Sequence, residues 1–258
     1  MNRLVYLLLG LYKLVVKTGV MQTRIGQALF SRSYMVYKRL VEARHTAALM
    51  TYITPGTCVI DVGANIGFFT LQFAQQVGSD GHVFSIEPES HNFNLLLKQL
   101  QRAGLASRVT ALQAVAADSA GERHLQLDPY HPANHKISSQ GVVVTAVTLD
   151  ALAASRAQPV SFIKIDVQGA EMQVLDGGRQ LIKTQHPALF IECDDSALQG
   201  FGSSAEALIH RMSDTGYRIH EHEVGPAGIS AMLTPEQALA RQVAGSYTDS
   251  LFLWQNPA

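Results

Sequence analysis

The sequence predicts an α/β fold with a doubly wound, mostly parallel sheet, and three observations carry that prediction. From residue 55 onward, short apolar runs alternate with helical stretches, the pattern of strands joined by crossover helices. Four of those runs close on an acid: Asp61, Glu87, Asp166 and Glu192. Glycine-bearing turns follow two of the acids, over 63–67 and at Gly169. Sheets of this kind bind ligands outside the carboxyl ends of their strands, so the acids should line one crevice.

Residues 1–54 read as a helical extension and 55–258 as the α/β domain. The run from Leu4 to Val16 is apolar but too short to span a bilayer, and Lys13 and Lys17 interrupt it as a signal peptide. On a helix, Arg3, Tyr6, Gly10, Lys13 and Lys17 fall along one stripe; Leu4, Leu8, Leu11 and Val15 fall on another face. Packing onto its own domain or onto a second copy in a homodimer is favoured, because such faces usually meet a core. A peripheral seat on the anionic inner face of a membrane is the other reading. A polar joint spans 22–33, and a helix follows from Tyr34 to Tyr52.

Thr54-Pro55-Gly56 breaks the chain into the first strand, Cys58 to Ile60. Val83 to Ile86 is the second strand, and Asn92 to Arg102 a helix ending near Gly104. Val109 to Ala116 is a third strand. Two further β runs, His124 to Leu127 and Val142 to Thr148, flank a polar loop. Phe162 to Val167 and Ala188 to Cys193 are the next strands, with a helix broken at Gly177-Gly178 between them. A helix from Ala205 to Asp214 precedes a terminal hairpin of 217–222 and 250–254.

Twenty basic against 21 acidic residues give no overall electrostatic footprint for nucleic acid. Cys58 and Cys193 both fall in predicted core strands, as small hydrophobes and not as a disulfide, which fits a reducing, cytoplasmic setting.

The most informative stretch runs from Cys58 to Thr70: strand, acid, tight turn, helix start. Gly63 and Gly67 let the backbone turn and let something approach it closely. An acid beside such a turn suits a ligand with a positive end and a nucleoside, and S-adenosylmethionine is such a ligand. A dinucleotide site wants G-x-G-x-x-G; the spacing here is Gly63-x-x-x-Gly67 with Asn65 between, and no P-loop lysine follows. An ordinary tight turn is the plain alternative. Glu87, about 20 residues past the turn, is placed to accept ribose hydroxyls. Pro88 is placed to pack against a base, Ser90 to cap the next helix, and Glu89 to be a solvated acid.

The second informative stretch is Phe162 to Glu171: a hydrophobic strand carrying Lys164, then Asp166, Gly169 and Glu171. Glu171 is also favourable simply as an acid at a helix N-terminus. With Asp61-Val-Gly-Ala-Asn-Ile-Gly67, Glu87-Pro88, His91-Asn92-Phe93, Thr148-Leu-Asp150 and Ile163 to Glu171 all in order, the chain resembles the FkbM family of S-adenosylmethionine-dependent methyltransferases. The likeness covers roughly Thr54 to Glu192. It implies a Rossmann-like methyltransferase fold and O-methylation of a hydroxyl on a saccharide, glycoconjugate or natural product. It also implies cofactor contacts at Asp61, Gly63, Asn65, Gly67 and Glu87, the set that the residues select by themselves. The adenine edge is expected at the loop after the third strand, around Ala116 to Asp118. Gln168 departs from the family, which more often has Glu there.

A hydroxyl is a poor nucleophile while protonated, so the transfer wants a base. Asp166 and His135 are the two candidates, and Asn134 and Glu192 are candidate contacts for the acceptor. An ordinary loop histidine is the plain alternative for His135. His131 and His135 are split by Pro132 and make a poor metal pair; Glu192, Asp194 and Asp195 are read as acceptor-binding groups ahead of a Mg²⁺ site. The expected partner is a small-molecule or glycan acceptor. Two rival functions stand beside methyl transfer: a nicotinamide-dependent oxidoreductase, which the fold class alone permits, and a non-catalytic module tethered through residues 1–20.

Overall fold

The computed structural model describes residues 43–126, 136–138, 141–221, 229–242 and 248–255. The chain divides into two compact units, Met1–Arg44 and His45–Ala258. The expected helices before residue 43, and the loop with Asn134 and His135, lie outside the described residues. Among the described residues no helix is long and apolar enough to cross a membrane.

Helix α1 (Ala43–Met50) leads into β1 (Cys58–Val62), α2 (Phe68–Gln76), β2 (His82–Ile86), α3 (Ser90–Arg102) and β3 (Val109–Leu112). Then come β4 (Ala114–Ala116), β5 (Gly121–Gln126), β6 (Lys136–Ser138), β7 (Val142–Val147), α4 (Leu149–Ala154) and β8 (Val160–Ile165). The rest is α5 (Glu171–Gly177), α6 (Arg179–Gln185), β9 (Ala188–Cys193), α7 (Asp195–Gln199), α8 (Ala205–Asp214), β10 (Tyr217–Glu221), α9 (Pro235–Ala240) and β11 (Thr248–Trp254).

Seven strands form the main sheet in the order β10-β11-β9-β8-β1-β2-β3. All neighbours from β9 to β3 pair in parallel, as expected; β11 alone runs antiparallel to both its neighbours. The central strands are apolar on both faces because both faces are covered. Ile60, Val62, Ile163, Ile165, Ile191 and Phe252 pack on one side. Val59, Phe73, Val83, Phe162, Phe190 and Leu251 pack on the other.

The structure corrects one expectation about strands. The third strand does not run unbroken to Ala116. It stops at Leu112, and Ala114–Ala116 joins a second sheet ordered β4-β7-β5-β6. That sheet has its own small core of Val115, Leu125, Val144 and Ala146. The terminal hairpin forms as expected: β10 and β11 pair antiparallel at one edge of the main sheet, and β11 joins the pair to β9.

Helix starts follow local chemistry. Thr148 and Ser204 hydroxyls accept from the N–H of the third residue on, and Thr234 with Gln237 forms a reciprocal cap. Ser90 does not cap α3; Glu89 does, accepting from the N–H groups of His91 (2.8 Å) and Asn92 (2.7 Å). The expected solvated acid is thus a structural cap, because a carboxylate at that position meets two otherwise unpaired donors.

Candidate active site

The turn after β1 is closed mainly by the chain itself. Gly63 and Ala64 N–H groups both reach the Ile86 carbonyl at 3.0 Å. Gly63 has φ +75°, and a Cβ there would lie 1.9 Å from the Asp166 carbonyl oxygen. Gly67 has φ +92°, and its Cβ would meet Leu96 at 2.6 Å. The sequence asks for glycines where something comes close, and the structure shows what does: the β8 exit at Gly63 and α3 at Gly67.

Asp61 is the fourth residue of β1 and is fully buried. Its Oδ2 accepts from the Thr70 hydroxyl at 2.6 Å, and Ser85 Oγ lies 2.9 Å from that hydroxyl. Thr70 has one proton and gives it to Asp61, so Ser85 donates to Thr70. The Lys164 ammonium lies 3.8 Å from Asp61 Oδ1. The expectation that Asp61 faces an open crevice is corrected: a lysine from the adjacent strand already compensates its charge, and the side chain is sealed.

Lys164 links the two motifs. It is 3% exposed, donates to the Gly63 carbonyl at 3.3 Å and to Asp166 Oδ2 at 3.1 Å, and lies 5.2 Å from the centre of the Phe69 ring. A buried ammonium is tolerated only when oxygens and opposite charge surround it. This residue was not among the sequence-selected site residues. Its signal was present, since a lysine inside an apolar parallel strand must be paired.

Glu87 follows β2 directly and is 5% exposed. Its two oxygens accept from the N–H groups of Asn65 (2.8 Å) and Glu89 (3.0 Å). Burial pushes its carboxyl up to about 7 against the pull of these two bonds and of a third from the Asn92 side chain. Asn65 is left-handed at φ 51°, the conformation that turns its N–H toward Glu87. Glu87 therefore braces the first turn, and its remaining lone pairs stay available to a ligand hydroxyl.

At the exit of β8, Asp166 is the open acid: its side chain is 32% exposed. Gln168 Nε2 donates to Glu192 Oε2 at 2.9 Å. Glu171 is buried, and its Oε1 accepts from Gly169 N–H at 3.1 Å and Val167 N–H at 3.4 Å. Burial raises the Glu171 carboxyl. Asp194 caps α7, and Asp195 accepts from the Ala205 N–H at 2.8 Å, so both are occupied in holding loops. The acidic group thus separates into Asp166 and Glu192 on one side and two capping aspartates on the other.

Ala116 ends β4 in the second sheet and is 3% exposed. The loop that it opens runs through buried Ala117 to exposed Asp118.

Comparisons with known proteins agree with this architecture. A family model described as the methyltransferase FkbM domain matches residues 61–219. No curated protein matches the chain. The structure of a methyltransferase FkbM from Methylobacillus flagellatus KT matches at 19% identity and TM-score 0.50, over 78% of this chain and 44% of that one. The chain therefore spans less than half the length of that relative, and the likeness shows the fold alone. A putative rRNA-methylase from Clostridium thermocellum matches at 10% identity and TM-score 0.49, over 84% of this chain and 97% of that one. An S-adenosylmethionine-dependent O-methyltransferase from Thermotoga maritima matches at 15% identity and TM-score 0.43, over 84% and 66%. The family match holds the turn after β1, Glu87, Lys164, Asp166 and Glu192 within one span covering well over half of the residues, and the nicotinamide reading gives way to it: the chain belongs to the FkbM methyltransferase family.

Proposed function

We propose that this chain transfers a methyl group from S-adenosylmethionine to a hydroxyl oxygen of a small polar acceptor: a saccharide, a glycoconjugate or a hydroxylated natural product. When bound, the cofactor supplies a methyl carbon on a positively charged sulfur, which departs as a neutral thioether. The residues suit that molecule unevenly. Glu87 fits a ribose, since it is a buried carboxylate with acceptor capacity beyond that used by Asn65, Glu89 and Asn92. Asn65, Gly63 and Gly67 shape the loop beside it. Asp61 is assigned an indirect part, holding Lys164 and through it the Gly63 carbonyl.

The observation that carries the reading is the Lys164 bridge. One ammonium ties the Gly63 carbonyl of the cofactor turn to the Asp166 carboxylate, so the donor side and the base are held as a unit. Fixed alignment of acceptor and donor is the main requirement of this chemistry. Asp166 is assigned as the base that takes the acceptor's hydroxyl proton. Glu192 and Gln168 beside it supply acceptor and donor groups of the kind hydroxyl-rich molecules pair with. His135 and Asn134, from the loop outside the described residues, remain assigned to the acceptor side as a second base and an orienting amide.

Two measurements test this. Calorimetry with S-adenosylmethionine and with S-adenosylhomocysteine should show binding of both; absence of both ends the reading. Transfer of a radiolabelled methyl group into cell-extract fractions should label a hydroxyl-bearing small molecule or glycan, and label confined to protein or nucleic acid would overturn the acceptor class.

A further inference from the structure

We propose that Asp166 and Glu192 work as one carboxyl pair, with a single proton held on Glu192 and Asp166 kept as the ionised member that meets the acceptor. This deepens the methyl-transfer reading and rests on it for the acceptor.

The sheet register brings the groups together. Asp61 of β1 lies opposite Lys164 of β8, and Lys164 opposite Phe190 of β9. Glu192, two residues beyond Phe190, falls on the same face and lies opposite Asp249 of β11. Asp166 and Glu192 each follow directly on the paired residues Ile165 and Ile191. Four carboxylates therefore share one edge of the sheet with Lys164. Neighbouring carboxylates in a partly buried setting do not all ionise, because each charge raises the cost of the next.

Lys164 decides which of them stays charged. Its ammonium is 3.1 Å from Asp166 and 3.8 Å from Asp61. Glu192 takes its hydrogen bond from the neutral amide of Gln168 instead, a residue held left-handed at φ 56° so that this amide faces it. Glu192 also stands between Asp166 on one side and Asp249 on the other. The proton belongs on Glu192, where the pull of Lys164 is outweighed by burial and by the two carboxylate neighbours, and a protonated Glu192 donates to Asp166. Burial, then the charges of Asp166 and Asp249, push the Glu192 carboxyl up to about 10. The titratable and charged groups facing this pair are Asp61 on β1, Lys164 on β8, Asp249 on β11 and Glu171 at the start of α5; His220 of β10 lies further along the same sheet face.

The pair has a defined part in the proposed reaction. The acceptor's O–H proton passes to Asp166, the pair goes from one proton to two, and one proton returns to water after the product leaves. Glu192 is a positioning residue: it orients Asp166 and sets the strength of the base.

Carbon-13 NMR of the full-length chain, labelled at its side-chain carboxyls, tests this. The Glu192 signal, assigned by correlation to its own backbone, should titrate above pH 8 and should move down by at least one pH unit in Asp166→Asn. A Glu192 that titrates near the ordinary carboxylate range overturns the pair, and so does an unchanged midpoint in the variant. If Asp166→Asn does not fold, the wild-type midpoint still decides. Calorimetry with S-adenosylhomocysteine on the same samples separates the two claims. Binding with an ordinary Glu192 removes the pair and leaves methyl transfer standing. An alkaline Glu192 without binding removes the methyl-transfer reading, and with it the pair's part in catalysis.

Discussion

Glu87→Gln probes the carboxyl that braces the turn after β1. The carboxyl lies at about 7 in the folded chain against 4.5 ordinarily, and desolvation is the cause. Each pH unit corresponds to ~1.36 kcal/mol, so the displacement is worth about 3 kcal/mol as an order of magnitude. The folded state holds this proton more tightly than the unfolded state. Its stabilising effect is therefore complete below pH 4.5, falls as pH rises, and is gone above about 7. Glutamine cannot ionise, so the variant lacks that decline. It also has one acceptor where two N–H groups arrive, and leaving one of them opposed by an amide costs ~1–3 kcal/mol. The variant should be the less stable protein at pH 4.5 and should match or exceed the wild type at pH 8. Urea midpoints measured for both proteins across that range read the difference directly. Parallel curves would refute the argument, because the raised carboxyl would then not reside at Glu87.

Three other predictions follow from distances already given. Gly63→Ala places a Cβ 1.9 Å from the Asp166 carbonyl at φ +75°, so it should lower the melting temperature and weaken S-adenosylhomocysteine binding together, read by scanning and titration calorimetry. Asp61→Ala leaves the buried Lys164 short of a counter-charge and should cost ~3–5 kcal/mol in urea unfolding, with cofactor affinity falling as well; unchanged affinity would remove Asp61 from the site. Asp166→Asn should retain cofactor binding while label incorporation falls ~10²–10⁴-fold. If His135→Ala gives that fall and Asp166→Asn does not, the base is His135.

Much of this was legible in the sequence for a simple reason. A parallel strand buried on both faces writes itself as an unbroken apolar run, and an acid just past such a run stands out. That made β1, β2, β8 and β9 readable, with Glu87 and Asp166 at their exits. The second sheet was less readable because its outer face is polar: Gly121 to Gln126 exposes most of its residues and carries no apolar run. The break at Gln113 is invisible because Val109 to Ala116 stays apolar across it. Asp61 misled for a related reason. Its position at a strand end looks like exposure in one dimension, while Lys164 on the neighbouring strand covers it in three. Glu89 reads as surface until the two N–H groups of α3 are seen to need an acceptor.

The position of β11 bears on how the molecule can be assembled. Leu251 and Phe252 are fully buried between β10 and β9, yet β11 follows both of those strands in the chain. Until β11 has been synthesised, β9 has a bare flank and β10 lacks its neighbour. The sheet can close only once Thr248 to Trp254 has joined it, so a premature stop before Thr248 would remove an interior strand and not an edge.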